Sequence, residues 1–165
     1  MRKLLLSLML VLSVPMAAQN WTKFEVKGDE LKGTKDHITY LYNEDTMYFQ
    51  FDEENDKQFI VKTEKSFFNY APDWFGYHHR NLVMGKVGLY DTDDKLIEGI
   101  DLLFEITDHT NILIPNKYTK MGGNNSKRCK KVLDFIKNQK GFVRIVLPLY
   151  DDTTDFDLKI PTLQN

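Results

Sequence analysis

The chain has 165 residues and a formal charge of −2, with 28% of its residues charged. That mildly acidic balance argues against partners that select a basic face, nucleic acid and anionic membrane surfaces foremost. A single cysteine allows no internal disulfide, so an aromatic content of 13% has to hold the core by burial alone.

In chain order, Met1-Arg2-Lys3 leads into an apolar run, Leu4–Val14, and then Pro15-Met16-Ala17-Ala18. A basic head, an apolar run of about a dozen residues and a small-residue exit are the marks of a secretory leader. The run is shorter than the roughly 20 apolar residues a transmembrane helix needs. With no cysteine at the exit for a lipid anchor, the predicted cut falls after Ala18. Residues 1–18 are then a signal peptide and 19–165 a single domain. Taking 18 residues from 165 leaves 147, enough for one sizeable core, with a charge of −4 once Arg2 and Lys3 are gone.

Trp21–Val26 alternates weakly and predicts a first strand, followed by a polar loop over Gly28–Asp36. Ile38, Tyr40 and Tyr42 share one face of a strand, and Met47, Phe49 and Phe51 one face of the next. Joined by Asn43–Thr46, they pair as Tyr42/Met47, Tyr40/Phe49 and Ile38/Phe51. Phe59 and Val61 extend that face opposite Phe51 and Phe49. Further on, Leu89/Leu96 and Val83/Leu102 pair across Asp91–Asp94, at the cost of setting Glu98 beside Val87 on an apolar face. Ile100–Ile106 is a strong strand and Ile112–Ile114 a short one.

Cys129, Val132, Leu133 and Ile136 form one stripe of an amphipathic helix that Ser126 can cap and Gly141 can end. Two alternating strands follow, Phe142–Leu149 and Asp155–Ile160. A loop at Asp151–Thr154 would pair Leu149/Phe156, Leu147/Leu158 and Ile145/Ile160. Regularly spaced strands with acidic turns predict a mainly antiparallel all-β fold, a β-sandwich or barrel-like meander, with one C-terminal helix and a final hairpin. The order strand, loop, Lys-rich helix, glycine, strand, strand over Leu102–Ile160 resembles the end of the invasion-associated locus B family, small exported bacterial β-sandwich proteins. The Ala-Gln-Asn exit of the leader is similar to that of exported Bacteroidota proteins. The resemblance implies the fold and carries no functional residue.

Phe67–His79 is the least ordinary segment: six aromatic rings interrupted by Pro72 and Gly76. Rings that a broken loop cannot bury mark binding surfaces. Trp74 and Tyr77, with Tyr70 and His78 beside them, are the candidates for stacking on a sugar or gripping an apolar side chain of a partner. The plainer expectation for the same segment is a hydrophobic loop that plugs one end of the sandwich. His78 and His79 are adjacent and would point to opposite faces of a strand, so no metal is assigned. The Asp91–Lys95 stretch lacks the glycine and final glutamate of a calcium loop. Cys129 lies on the helix's apolar stripe, which predicts a buried and inert thiol despite its basic neighbours. The basic run Lys127–Lys131, with Lys137 and Lys140, reads as a solvated helix face. No catalytic motif or cofactor-binding loop is found. The expectation is an exported, non-enzymatic protein of the envelope or surface that binds another protein. A carbohydrate-binding module using residues 67–79, or a hydrolase, are the alternatives.

Overall fold

The computed structural model describes residues 14–15, 21–44, 47–63, 82–107, 112–115, 125–147 and 156–164. Ten strands occur among them: β1 (Val14–Pro15), β2 (Trp21–Val26), β3 (His37–Glu44), β4 (Met47–Asp52), β5 (Ile60–Lys62), β6 (Leu82–Tyr90), β7 (Leu96–Ile106), β8 (Ile112–Pro115), β9 (Phe142–Leu147) and β10 (Phe156–Pro161). One α-helix, α1 (Asn125–Asn138), precedes β9. The fold is mainly antiparallel β-sheet, with the helix and a hairpin near the C-terminus as expected. The strands form one continuous ladder in the order β1-β2-β3-β4-β5-β8-β7-β6-β9-β10. Its first half is a meander. The connections from β5 to β6 and from β8 to β9 each pass over two strands, so β6–β8 enter the sheet in reverse.

The sheet curls on itself. The Trp21 indole N–H on β2 donates to the Pro161 carbonyl on β10, 2.9 Å away, joining strands from opposite ends of the ladder. Inside the curl runs a chain of aromatic rings. Trp21 meets Tyr42 (5.4 Å) and Phe51 (5.8 Å), Phe49 meets Phe59 (4.7 Å), and Phe59 meets Phe104 (5.9 Å). These edge-to-face and tilted contacts suit the ring quadrupoles and add to the burial itself.

Three hairpins differ from the predicted pairing by two residues. Tyr42 pairs with Phe49 and Tyr40 with Phe51, the ladder starting at Glu44 with Met47. Val83 pairs with Phe104 and Val87 with Ile100, with an irregularity between Leu89 and Tyr90. Leu158 pairs with Ile145, Ile160 with Val143 and Phe156 with Leu147. A shift of two preserves the face of a side chain, because strand side chains alternate with period two. Leu96 is the exception, since the irregularity pairs it with Tyr90 instead of Leu89 and leaves it 51% exposed on the outer face. Phe49 and Val61 pair as expected. Glu98, the apparent misfit, stands opposite Leu89 at the rim of the helix, where its carboxylate meets Lys131 at 2.5 Å.

The helix buries the predicted stripe. Cys129, Val132, Leu133 and Ile136 are fully buried against the sheet, with Phe135 nearly so. Its start is different: Asn125 opens the helix and Ser126 lies within it. The Asn125 side chain is spent elsewhere. Its Oδ1 accepts from the Leu103 N–H at 3.1 Å, and its Nδ2 donates to the Leu103 carbonyl at 2.9 Å. That pair continues the β7 ladder one residue beyond the last β8 partner, Phe104–Pro115. At the other end Gly141 adopts φ 136°, where a Cβ would lie 2.0 Å from the Tyr90 carbonyl. The chain after β10 then satisfies the helix's last carbonyls: Leu163 N–H donates to Ile136 and Gln164 Nε2 to Lys137.

Candidate functional site

The predicted binding residues Trp74, Tyr77, Tyr70 and His78 lie outside the described residues, as does the rest of the 67–79 segment. Other sequence candidates resolve into structure-building roles. Asp91 Oδ1 accepts from the N–H groups of Asp93 and Lys95, both at 2.9 Å, tying a turn in which Asp94 has φ 60°. The basic helix face is largely engaged: Arg128 donates to the Asp101 carbonyl, Lys130 meets Asp134 and Asp56, and Lys137 donates to the Glu53 carbonyl. Cys129 is wholly buried, and burial, aided by the charge of Asp56, pushes its thiol up to about 12. A thiol so reluctant to ionise is no nucleophile. Among the described residues no three His, Cys, Asp or Glu side chains gather as a metal site would need, and no helix is long and apolar enough to cross a membrane.

The sheet's outer face supplies a different candidate. Alternation along β6 sends Val83, Gly85, Val87 and Leu89 inward and Met84, Lys86, Gly88 and Tyr90 outward. Gly88 pairs with Gly99 of β7, so two glycines lie side by side. The Tyr90 ring folds over Gly88, where its Cε2 would come within 2.5 Å of an added Cβ, and Leu96 Cδ1 approaches to 3.3 Å. Gly99 is left open: a Cβ there would meet no atom within 4 Å. Leu96, 51% exposed, pairs with Tyr90 on this face, and Ile97, 57% exposed, follows it at the irregularity.

Tyr90 stacks on Phe142 of β9 at 4.7 Å with the planes 3° apart, and Lys159 Nζ of β10 sits 3.7 Å from the Phe142 centroid. The strand order β6, β9, β10 puts Tyr90 and Lys159 on opposite sides of that ring. The stack is framed by charges that neutralise one another. Arg144 grips Asp157 through Nε and Nη2 at 2.5–3.0 Å, and Lys159 meets Asp94 at 3.2 Å. The Asp157 carboxylate, and after it the Tyr90 hydroxyl, hold Arg144 further into its charged form. The result is a shallow recess over the open backbone of Gly99, beside the Tyr90 and Leu96 side chains that cover Gly88, with the Arg144–Asp157 and Lys159–Asp94 ion pairs on the same side of the sheet. An apolar side chain could seat on that open backbone against Leu96. A sugar ring is a poorer fit, since both faces of Phe142 and one face of Tyr90 are already covered.

The sequence reading missed these residues. The signal that could have revealed them was glycine within strand patterns, which marks close backbone approach or a deliberate gap. Comparison with protein families, with curated proteins and with solved structures gave no match, so nothing there bears on the resemblance to the invasion-associated locus B family.

Proposed function

We propose that this chain is an exported protein that works by binding another protein rather than by catalysis, and that the outer face of β6, β7 and β9 makes the contact. The observation that carries the reading is the uncovered Gly99 backbone beside exposed Leu96 and Ile97. Solvent-exposed apolar residues next to a gap, with charged residues around them, have the make-up of an interface core and its polar surround. Export is supported by the order of residues in Met1–Ala18 alone.

The test is site-specific photo-crosslinking from position 97 in cells of the native host. One discrete adduct of fixed mass is expected, and filling the recess with Gly99→Trp should abolish it. A folded protein that gives no discrete adduct refutes the reading. Saturable glycan binding that survives Gly99→Trp but disappears with Trp74→Ala would move the function to the aromatic segment and favour a carbohydrate-binding module.

A further inference from the structure

The strand β2 bears on the partner as well as on the fold. Its inner neighbour is β3, and its other edge is covered only at Thr22 and Lys23, by Pro15 and Val14 of β1. Both β1 residues belong to the segment expected to be cut away on export. Beyond them β10 approaches β2 through the Trp21 indole, but it forms no ladder with it. Processing therefore strips the edge of Trp21–Val26 of its described strand partner, leaving backbone N–H and C=O groups that template a new strand.

We propose that this edge pairs with the same edge of a second copy, antiparallel about Phe24. The proposal rests on the export reading above. Its case lies in the strand's own order of charges. Centred on Phe24, the pairing sets Lys23 of each copy opposite Glu25 of the other, twice by symmetry, and Thr22 opposite Val26 on the reverse face. Centring on Lys23 or on Glu25 would instead set like charges directly opposite, which is repulsive. A shift by a single residue would turn the Trp21 face of one copy towards the Phe24 face of the other. One register is thus selected over its neighbours. Glu25 is exposed and Lys23 half-buried, and neither has an ion-pair partner among the described residues. A two-fold pairing of identical patches closes on itself and makes a dimer, with no open filament. While the leader is attached, β1 blocks the same edge, so assembly waits for processing.

The experiment takes the protein purified from its exporting host and combines N-terminal mass spectrometry with sedimentation analysis at high micromolar concentration. The expected result is a first residue at or near Gln19 and a mass twice that of the chain. Lys23→Glu should return the chain to a monomer with an unchanged circular dichroism spectrum. Lys23→Glu combined with Glu25→Lys restores opposite charges across the two-fold and should restore the dimer. A monomeric wild type beginning at Gln19 overturns the pairing and leaves export standing. An intact Met1 overturns both. A dimer that survives Lys23→Glu at unchanged strength overturns the edge assignment, because some other surface then holds it.

Discussion

Two glycines in the same strand pair, Gly85 and Gly99, should respond to alanine in opposite directions. Gly85 faces inward, and an added Cβ would lie 2.5 Å from Leu147 Cδ2 and 2.7 Å from Phe104 Cε2. Leu147 and Phe104 are both fully buried, so neither has free space to retreat into. Overpacking of this kind costs about 1–3 kcal/mol. Against that, alanine relieves the penalty of glycine in a strand, about 0.5–1 kcal/mol. Gly85→Ala should therefore lose roughly 1–2 kcal/mol net. At Gly99 the steric term is zero, because nothing lies within 4 Å of the new methyl, and only the gain of about 0.5–1 kcal/mol remains. The gain from removing glycine is common to both, so the two variants should differ by the overpacking cost, roughly 1–3 kcal/mol in urea unfolding at constant m, and by about 3–10 °C in Tm for a domain of this size. A Gly85→Ala protein as stable as wild type would refute the assignment of Gly85 to the packed face. A Gly99→Ala protein less stable by 1 kcal/mol or more would show that the recess is already filled.

Other outcomes follow from single groups. Cys129 should label slowly with thiol reagents in the native protein and quickly after denaturation; rapid native labelling would contradict its burial. Its thiol is raised on folding from 9 to about 12, so the folded chain holds a proton that the unfolded chain releases. Stability should consequently fall by about 1.4 kcal/mol per pH unit as pH rises from 9 towards 12, beyond any decline seen in Cys129→Ala, as compared by urea unfolding across that range. Asn125→Ala leaves the Leu103 N–H and carbonyl without their side-chain partner and should cost roughly 2 kcal/mol or more, read as a lower urea midpoint. Trp74→Ala should leave Tm nearly unchanged if the aromatic segment is a binding surface, and should cost roughly 3–5 kcal/mol if that ring fills a core.

Side-chain faces were legible in the sequence, but hairpin registers were not. Alternation identified Tyr40, Tyr42, Phe49 and Phe51 as one surface, and the helical stripe through Cys129 and Ile136 needed only its 3.6-residue period. Both patterns are local. Register depends on where the strands begin to pair, and composition did not reveal that pairing starts at Glu44 with Met47 or at Leu147 with Phe156. Because each shift was of two residues, it moved partners without exchanging core for solvent, except at Leu96, which the irregularity after Leu89 turns from the predicted core face to the exposed outer face. Asn125 was out of reach for another reason. An asparagine at a helix start suggests a cap, and only the proximity of Leu103, 22 residues earlier in the chain, diverts its amide into the sheet.

The recess on the outer face shows why the site needed the register in full. Gly85, Gly88 and Gly99 are indistinguishable as glycines in strand patterns. Face parity alone separates Gly85, where a side chain would collide with the core, from the other two. Separating Gly88 from Gly99 takes the pairing itself. Only when Gly88 stands opposite Gly99 does the Tyr90 ring cover the one and leave the other bare, and only when Tyr90 stands opposite Phe142 is that ring held in place by a stack. Lys159, one strand further on, fixes the stack from the far side and takes its charge balance from Asp94, 65 residues earlier in the chain. Each member is ordinary for its strand. The recess is a product of strand order, in which β9 lies beside β6 because the chain crosses back through α1, and no local pattern records that crossing.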